Sequence, residues 1–202
     1  MFDALFTTTT EYKKLSHALS GKGACALFGL PASGRAQVYA ALCRQLDKPL
    51  CIVTPGEAEA TRFAADLNTL GIPAAVFPAR DYVLRPIEGT AREYEYRRLA
   101  VLGELVGGRL RAVAVPAEAL TQFTTPKEDF CANTRTLHAG DTLLRDDLLA
   151  ALFGAGYTRR AQVDGPGQFS VRGDIVDIFA PDQKMPVRME FWGDEIDTLH
   201  TF

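Results

Sequence analysis

The chain has 202 residues, 47% of them hydrophobic and 23% charged, with a formal net charge of −3. This composition excludes a disordered chain, and no apolar run reaches the roughly 20 residues that a membrane-spanning helix needs. The length suits one large domain or two small ones, and the charge does not advertise a nucleic-acid-binding surface over the whole molecule.

Met1 to Lys14 carries four consecutive threonines and no basic-then-apolar secretory pattern, so a cytoplasmic protein is expected. The apolar run Ala24 to Phe28 reads as a strand. It leads into Gly29-Leu30-Pro31-Ala32-Ser33-Gly34-Arg35-Ala36, which has the glycine frame of a phosphate-binding loop, G-x-x-x-x-G-K-[ST]. The frame is degenerate. Arg35 stands where lysine would reach the β/γ-phosphates, and Ala36 stands where a hydroxyl would hold Mg²⁺. Pro31 removes a backbone N–H from a loop that binds through N–H groups. Gly29, Gly34, Arg35 and Ala36 are therefore not expected to bind nucleotide, and no cofactor is expected. A binding role is favoured over catalysis.

Helical periodicity follows over Gly34 to Leu46, with Val38, Ala41, Leu42 and Leu46 on one face. Leu50 to Val53 reads as a buried parallel strand, and Glu57 to Leu70 as a helix closed by Gly71. Ala74 to Phe77 is the next strand. Ala91 to Leu105 is a longer helix ended by Gly107-Gly108, and its run from Arg92 to Arg98 reads as a solvated face with local ion pairs. Ala112 to Val115 is a strand, and Pro116 opens a short helix. The β-α alternation predicts a Rossmann-like parallel sheet with flanking helices, helicase-like in outline, over residues 1–125.

The polar, proline-containing stretch from Gln122 to Asp129 reads as a boundary. Residues 126–202 predict a smaller α+β domain with antiparallel strands. Arg145 to Phe153 is its helix, with Leu148, Leu149 and Leu152 apolar, stopped by Gly154 and Gly156. Phe169 to Ile178 is strand-like, with a bulge or bend expected at Arg172-Gly173. Val187 to Trp192 alternates before a turn at Gly193-Asp194, which predicts Phe191 and Trp192 on opposite faces, with Trp192 outward. From Lys127 onward the net charge is −5, against +2 before it, so this half suits a protein partner better than a phosphate backbone.

Cys25, Cys43, Cys51 and Cys131 form no C-x-x-C pair, and His17, His138 and His200 are far apart, so buried thiols are expected and no metal site. Asp194, Glu195 and Asp197 read as a charged turn, since no nucleophile or histidine is placed to work with them. Arg172 and Arg188 are either solvated, paired with nearby Asp174 and Glu190, or available to a partner.

Two stretches carry a resemblance. Gly167 to Phe179 (GQFSVRGDIVDIF) and Pro186 to Asp197 (PVRMEFWGDEID) resemble a signature shared by the excision-repair UvrB proteins and the N-terminal module of the transcription-repair coupling factors (Mfd proteins). The upstream layout is similar too: the degenerate loop, Phe77-Pro78, Arg97-Arg98-Leu99 and Val113 to Leu120. UvrB carries an intact phosphate loop and a long aromatic hairpin. Here Arg35-Ala36 breaks the loop, and the interval Ala79 to Gly89, with Tyr82 as its only aromatic residue, has no room for the hairpin. Both departures favour the coupling-factor module.

The resemblance implies a non-enzymatic adaptor that binds UvrA through Arg172, Arg188 and Trp192. It also implies an intramolecular contact that covers this face in the full-length protein. RNA polymerase and DNA would be engaged by parts of a longer parent, of which this chain is expected to be a fragment. The alternative is a nucleotide-binding fragment of a DNA helicase or translocase that retains ATP or DNA binding.

Overall fold

A computed structural model describes residues 7–21, 23–46, 48–80 and 91–202, with only the backbone described at 91 and 92. Residues 81–89 of the short interval, Tyr82 among them, lie outside it. The chain divides into two compact units, Met1–Tyr82 with Glu104–Phe123, and Val83–Gly103 with Thr124–Phe202.

In the first unit the elements are α1 (Thr10–Ser20), α2 (Ala32–Gln45), β1 (Leu50–Thr54), α3 (Glu57–Thr69), β2 (Ala74–Val76), β3 (Ala112–Pro116) and α5 (Ala117–Leu120). Among the described residues the strands form a three-stranded parallel sheet in the order β1-β3-β2. The central strand β3 is buried along its whole length, as its unbroken apolar sequence requires. The stripe of α3, Phe63 and Leu67, packs with Ile52 and Ala112 and with Ala36, Ala40 and Cys43 of α2. A glycine in the left-handed region, Gly71 at φ 74°, ends α3. The Asn68 side chain then ties the helix end to β2 by donating to the Ala74 carbonyl at 2.8 Å and accepting from its N–H at 3.1 Å.

Helix α1 was not foreseen from the sequence. Its Thr9 hydroxyl accepts from the Tyr12 N–H at 3.2 Å, the N-cap bond that frees one orphan donor from water. Tyr12 and Leu15 bury against Val38, Ala41 and Leu42 of α2.

The strand expected over Ala24–Phe28 does not form: the segment is irregular, and Leu27 and Phe28 are exposed. An apolar run gives strand propensity, but a strand also needs a ladder for its N–H and C=O groups, and among the described residues this run pairs with none. The described fold is mixed α/β, and the strand-loop-helix context of a phosphate loop is not formed in it.

The second unit contains α6 (Lys127–Ala132), α7 (Arg145–Gly154), β4 (Thr158–Arg159), β5 (Gln168–Arg172), β6 (Ile175–Phe179), β7 (Val187–Trp192) and β8 (Glu195–Thr201). The long helix α4 (Ala91–Val106) begins in it and crosses the division after Gly103. Among the described residues the strands form one sheet in the order β4-β5-β6-β7-β8, antiparallel except for the β4–β5 pair. Leu148 and Leu152 of α7 cover its inner face, where Phe169, Val176, Phe191 and Ile196 are buried.

Arg172-Gly173 is neither a bulge nor a bend within one strand. Gly173 and Asp174 form a two-residue hairpin turn between β5 and β6, with Arg172 paired to Ile175. Gly173 has φ 60° and Asp174 does not have positive φ, the glycine-first pattern of a type II′ turn. Gly193-Asp194 repeats it between β7 and β8, with φ 63° at Gly193. The irregularity in the sheet lies instead between β7 and β8, beside Glu190 and Phe191. Gly167, at φ 75°, sits directly under Tyr96 of α4, and a Cβ there would collide with the phenol.

Candidate partner-binding face

Strand alternation assigns the two faces of the second sheet. Phe169, Val176, Met189 and Phe191 point into the core, so Ser170, Arg172, Asp177, Arg188, Glu190 and Trp192 share the other face. The register aligns Ser170, Asp177, Arg188 and His200 in one row across β5, β6, β7 and β8. Arg172 lies two residues along β5 from that row, and Trp192 lies two residues along the same face of β7 from Glu190.

The row centres on Asp177, whose side chain is only 2% exposed. Arg188 meets this carboxylate side-on, donating from Nε to Oδ1 at 2.7 Å and from Nη2 to Oδ2 at 2.9 Å. Arg172 donates from Nη2 to Oδ2 at 2.9 Å, and the Ser170 hydroxyl lies 3.3 Å from the same oxygen. The Arg188 hydrogen bonds hold the Asp177 carboxyl below the usual carboxylate range; burial pushes the other way, and Arg172 adds to the lowering. The carboxylate is thus ionised at neutral pH. The Phe202 ring lies 4.7 Å from the Arg188 guanidinium carbon and adds a cation–π contact.

The arginines therefore pair with Asp177 and not with the residues the sequence suggested. Asp174 instead meets Arg145 at 3.1 Å, and Arg145 also donates to the Gly173 carbonyl at 2.9 Å, bracing the hairpin turn. The Arg172 side chain remains 59% exposed, so much of its guanidinium fork faces solvent, whereas that of Arg188 is 27% exposed. Trp192 is 81% exposed while Phe191 is buried, which is the division that alternation predicts. The face therefore offers two oriented guanidinium groups and a bare indole on one sheet. Asp194, Glu195 and Asp197 are exposed at the neighbouring turn and strand, as read from the sequence.

The residues of the degenerate loop are not gathered into a site. Gly29 has φ 81°, and a Cβ at Gly34 would press on the Pro31 ring at 3.3 Å. Arg35 turns to α3, pairing with Glu59 at 3.6 Å and lying 5.6 Å from the centre of the Phe63 ring. Ala36 is buried in the α2–α3 core. The two side chains that replace the nucleotide ligands thus take part in helix packing.

Three of the four thiols, Cys25, Cys51 and Cys131, are exposed, contrary to expectation; only Cys43 is buried. Among the described residues no three His, Cys, Asp or Glu side chains converge as metal ligands. The Arg92–Arg98 run is not a uniformly solvated face either. Arg98 is buried and donates to the Thr124 hydroxyl at 2.8 Å, while Arg97 lies over the Tyr94 ring.

Residues 136–202 match the family model described as "UvrB interaction domain". Over most of its length the chain is similar to curated DNA-repair proteins. It is 29% identical over 178 residues to the "Transcription-repair-coupling factor" of Bacillus subtilis, an alignment covering 87% of this chain and 15% of that protein. It is 38% identical over 180 residues to the protein of the same name from Mycobacterium tuberculosis, covering 85% and 14%. Against "UvrABC system protein B" of Chlorobium limicola it is 28% identical over 191 residues, covering 87% and 28%. The chain spans less than a third of the length of each of these relatives.

Proposed function

With a second unit that matches the UvrB interaction domain as the premise, we propose that this chain is the UvrB-homology module of a transcription-repair coupling factor. In this reading it is a non-catalytic adaptor that binds UvrA and brings nucleotide excision repair to stalled RNA polymerase. The second unit, which holds residues 126–202, makes the contact, and the first unit is its UvrB-like α/β companion. Contacts with polymerase and DNA belong to parts of the parent protein outside this chain, and one of those parts covers the UvrA-binding face until it is needed. The protein works in the cytoplasm.

The observation that carries the reading is the placement of Arg172, Arg188 and Trp192 on one outward sheet face of the matched domain. Arginine and tryptophan are the residue types that dominate protein interfaces, the first through its planar fork and the second through desolvated area. The test is binding of the purified chain to UvrA. Arg172→Ala and Arg188→Ala should each weaken it roughly tenfold or more with the circular dichroism spectrum unchanged. Unchanged affinity in the folded variants would refute the assignment. Titration with Mg·ATP should show no saturable binding, because Arg35 and Ala36 are committed to helix packing; saturable binding would favour the helicase-fragment alternative.

A further inference from the structure

The two arginines of the face share one counterion, and that counterion is built into the sheet. Asp177 sits on the middle strand of the three that carry the cluster, is 2% exposed, and accepts three guanidinium hydrogen bonds of 2.7 to 2.9 Å. Its own position is fixed by the ladders to β5 and β7 on either side. We infer that Asp177 is the positioning residue of the partner-binding face: it holds the Arg172 and Arg188 guanidinium groups at fixed places before the partner arrives. The inference rests on the reading of this face as the UvrA contact.

An arginine on an open sheet samples many rotamers, and an interface that must immobilise it loses affinity for doing so. Here that ordering is done within the free chain. The bidentate bond orients Arg188, while the single Nη2 bond of Arg172 anchors one corner of a fork whose remainder faces solvent. The group such a fork recognises is a carboxylate of the partner. Asp177 also subtracts a charge from the face. If that subtraction were its whole effect, removing the carboxylate would strengthen binding to an acidic partner. Positioning predicts the opposite.

The test uses Asp177→Asn, which is isosteric and neutral, in two measurements. In the free chain, ¹⁵N relaxation of the Arg188 Nε–H group should show a rigid site in the wild type and a mobile one in the variant. That readout does not depend on UvrA. Affinity for UvrA should then fall roughly 5- to 150-fold, the cost of ordering two freed side chains, mainly as faster dissociation. Loss of UvrA binding in Arg172→Ala and Arg188→Ala establishes the face separately. If those variants bind normally, the reading of the face fails, and the relaxation result still decides whether Asp177 orders the arginines. If they lose binding while Asp177→Asn binds as well as wild type or tighter, the positioning role is overturned. Should Asp177→Asn not fold, the smaller Asp177→Ser answers the same question; failure of both to fold would also overturn it, because Asp177 would then be a structural residue.

Discussion

Gly167 is the position where one methyl group should do the most damage in the second unit. Its φ of 75° is in the left-handed region, where a side chain costs about 1–2 kcal/mol. An added Cβ would also overlap the Tyr96 phenol, and overpacking of this kind costs about 1–3 kcal/mol. Gly167→Ala should therefore destabilise the unit by about 2–5 kcal/mol. The two contributions separate in a double-mutant cycle, because Tyr96→Ala removes the overlap and leaves the backbone strain. In that background the same substitution should cost only about 1–2 kcal/mol. Amide hydrogen exchange in the β5–β8 peptides reads the cost locally, each tenfold loss of protection corresponding to about 1.4 kcal/mol. Equal costs in both backgrounds would refute the packing of α4 over Gly167 and with it the assignment of this part of the helix to the second unit.

Three further outcomes follow from the same geometry. Phe191→Ala should cost about 3–5 kcal/mol in urea unfolding, whereas Trp192→Ala should stay within about 0.5 kcal/mol of wild type; equal losses would mean the face assignment is wrong. The fluorescence of Trp192, the only tryptophan of the chain, should be quenched by acrylamide nearly as readily as free indole; strong shielding would contradict its exposure. The lowered folded pKa of Asp177 makes its contribution to stability fully present above the ordinary carboxylate value of about 3.9 and lost as pH falls through the folded value. The gap in urea midpoint between wild type and Asp177→Asn should therefore be widest above about pH 5 and close in acid; a gap independent of pH would show that the carboxylate is not held ionised by the arginines.

The elements with strong periodicity were legible in the sequence. Phe63 and Leu67 marked the buried stripe of α3, and the unbroken apolar run from Ala112 to Val115 marked the central strand. The run at Ala24–Phe28 misled because propensity is local, whereas the ladder that makes a strand is not. Helix α1 was hidden by its polar surroundings, and only the pairing of Tyr12 and Leu15 with α2 reveals its inner face. At the site, alternation placed Trp192 correctly. Asp177 was missed because Arg172-Gly173 was read as a break within one strand. Only with a two-residue turn at Gly173-Asp174 does the register set Asp177 opposite Ser170 and Arg188, and a slip of one residue would turn it to the other face. The Gly-Asp step preceding an apolar strand was the signal that could have found it.

The most direct test of the central claim is an equilibrium titration of the chain with purified UvrA, the wild type beside Arg172→Ala and Arg188→Ala, each checked for folding by circular dichroism. Saturable binding by the wild type, weakened roughly tenfold or more in both folded variants, is the predicted result. A folded wild-type chain that does not bind UvrA, or folded variants that bind it equally well, would contradict the account.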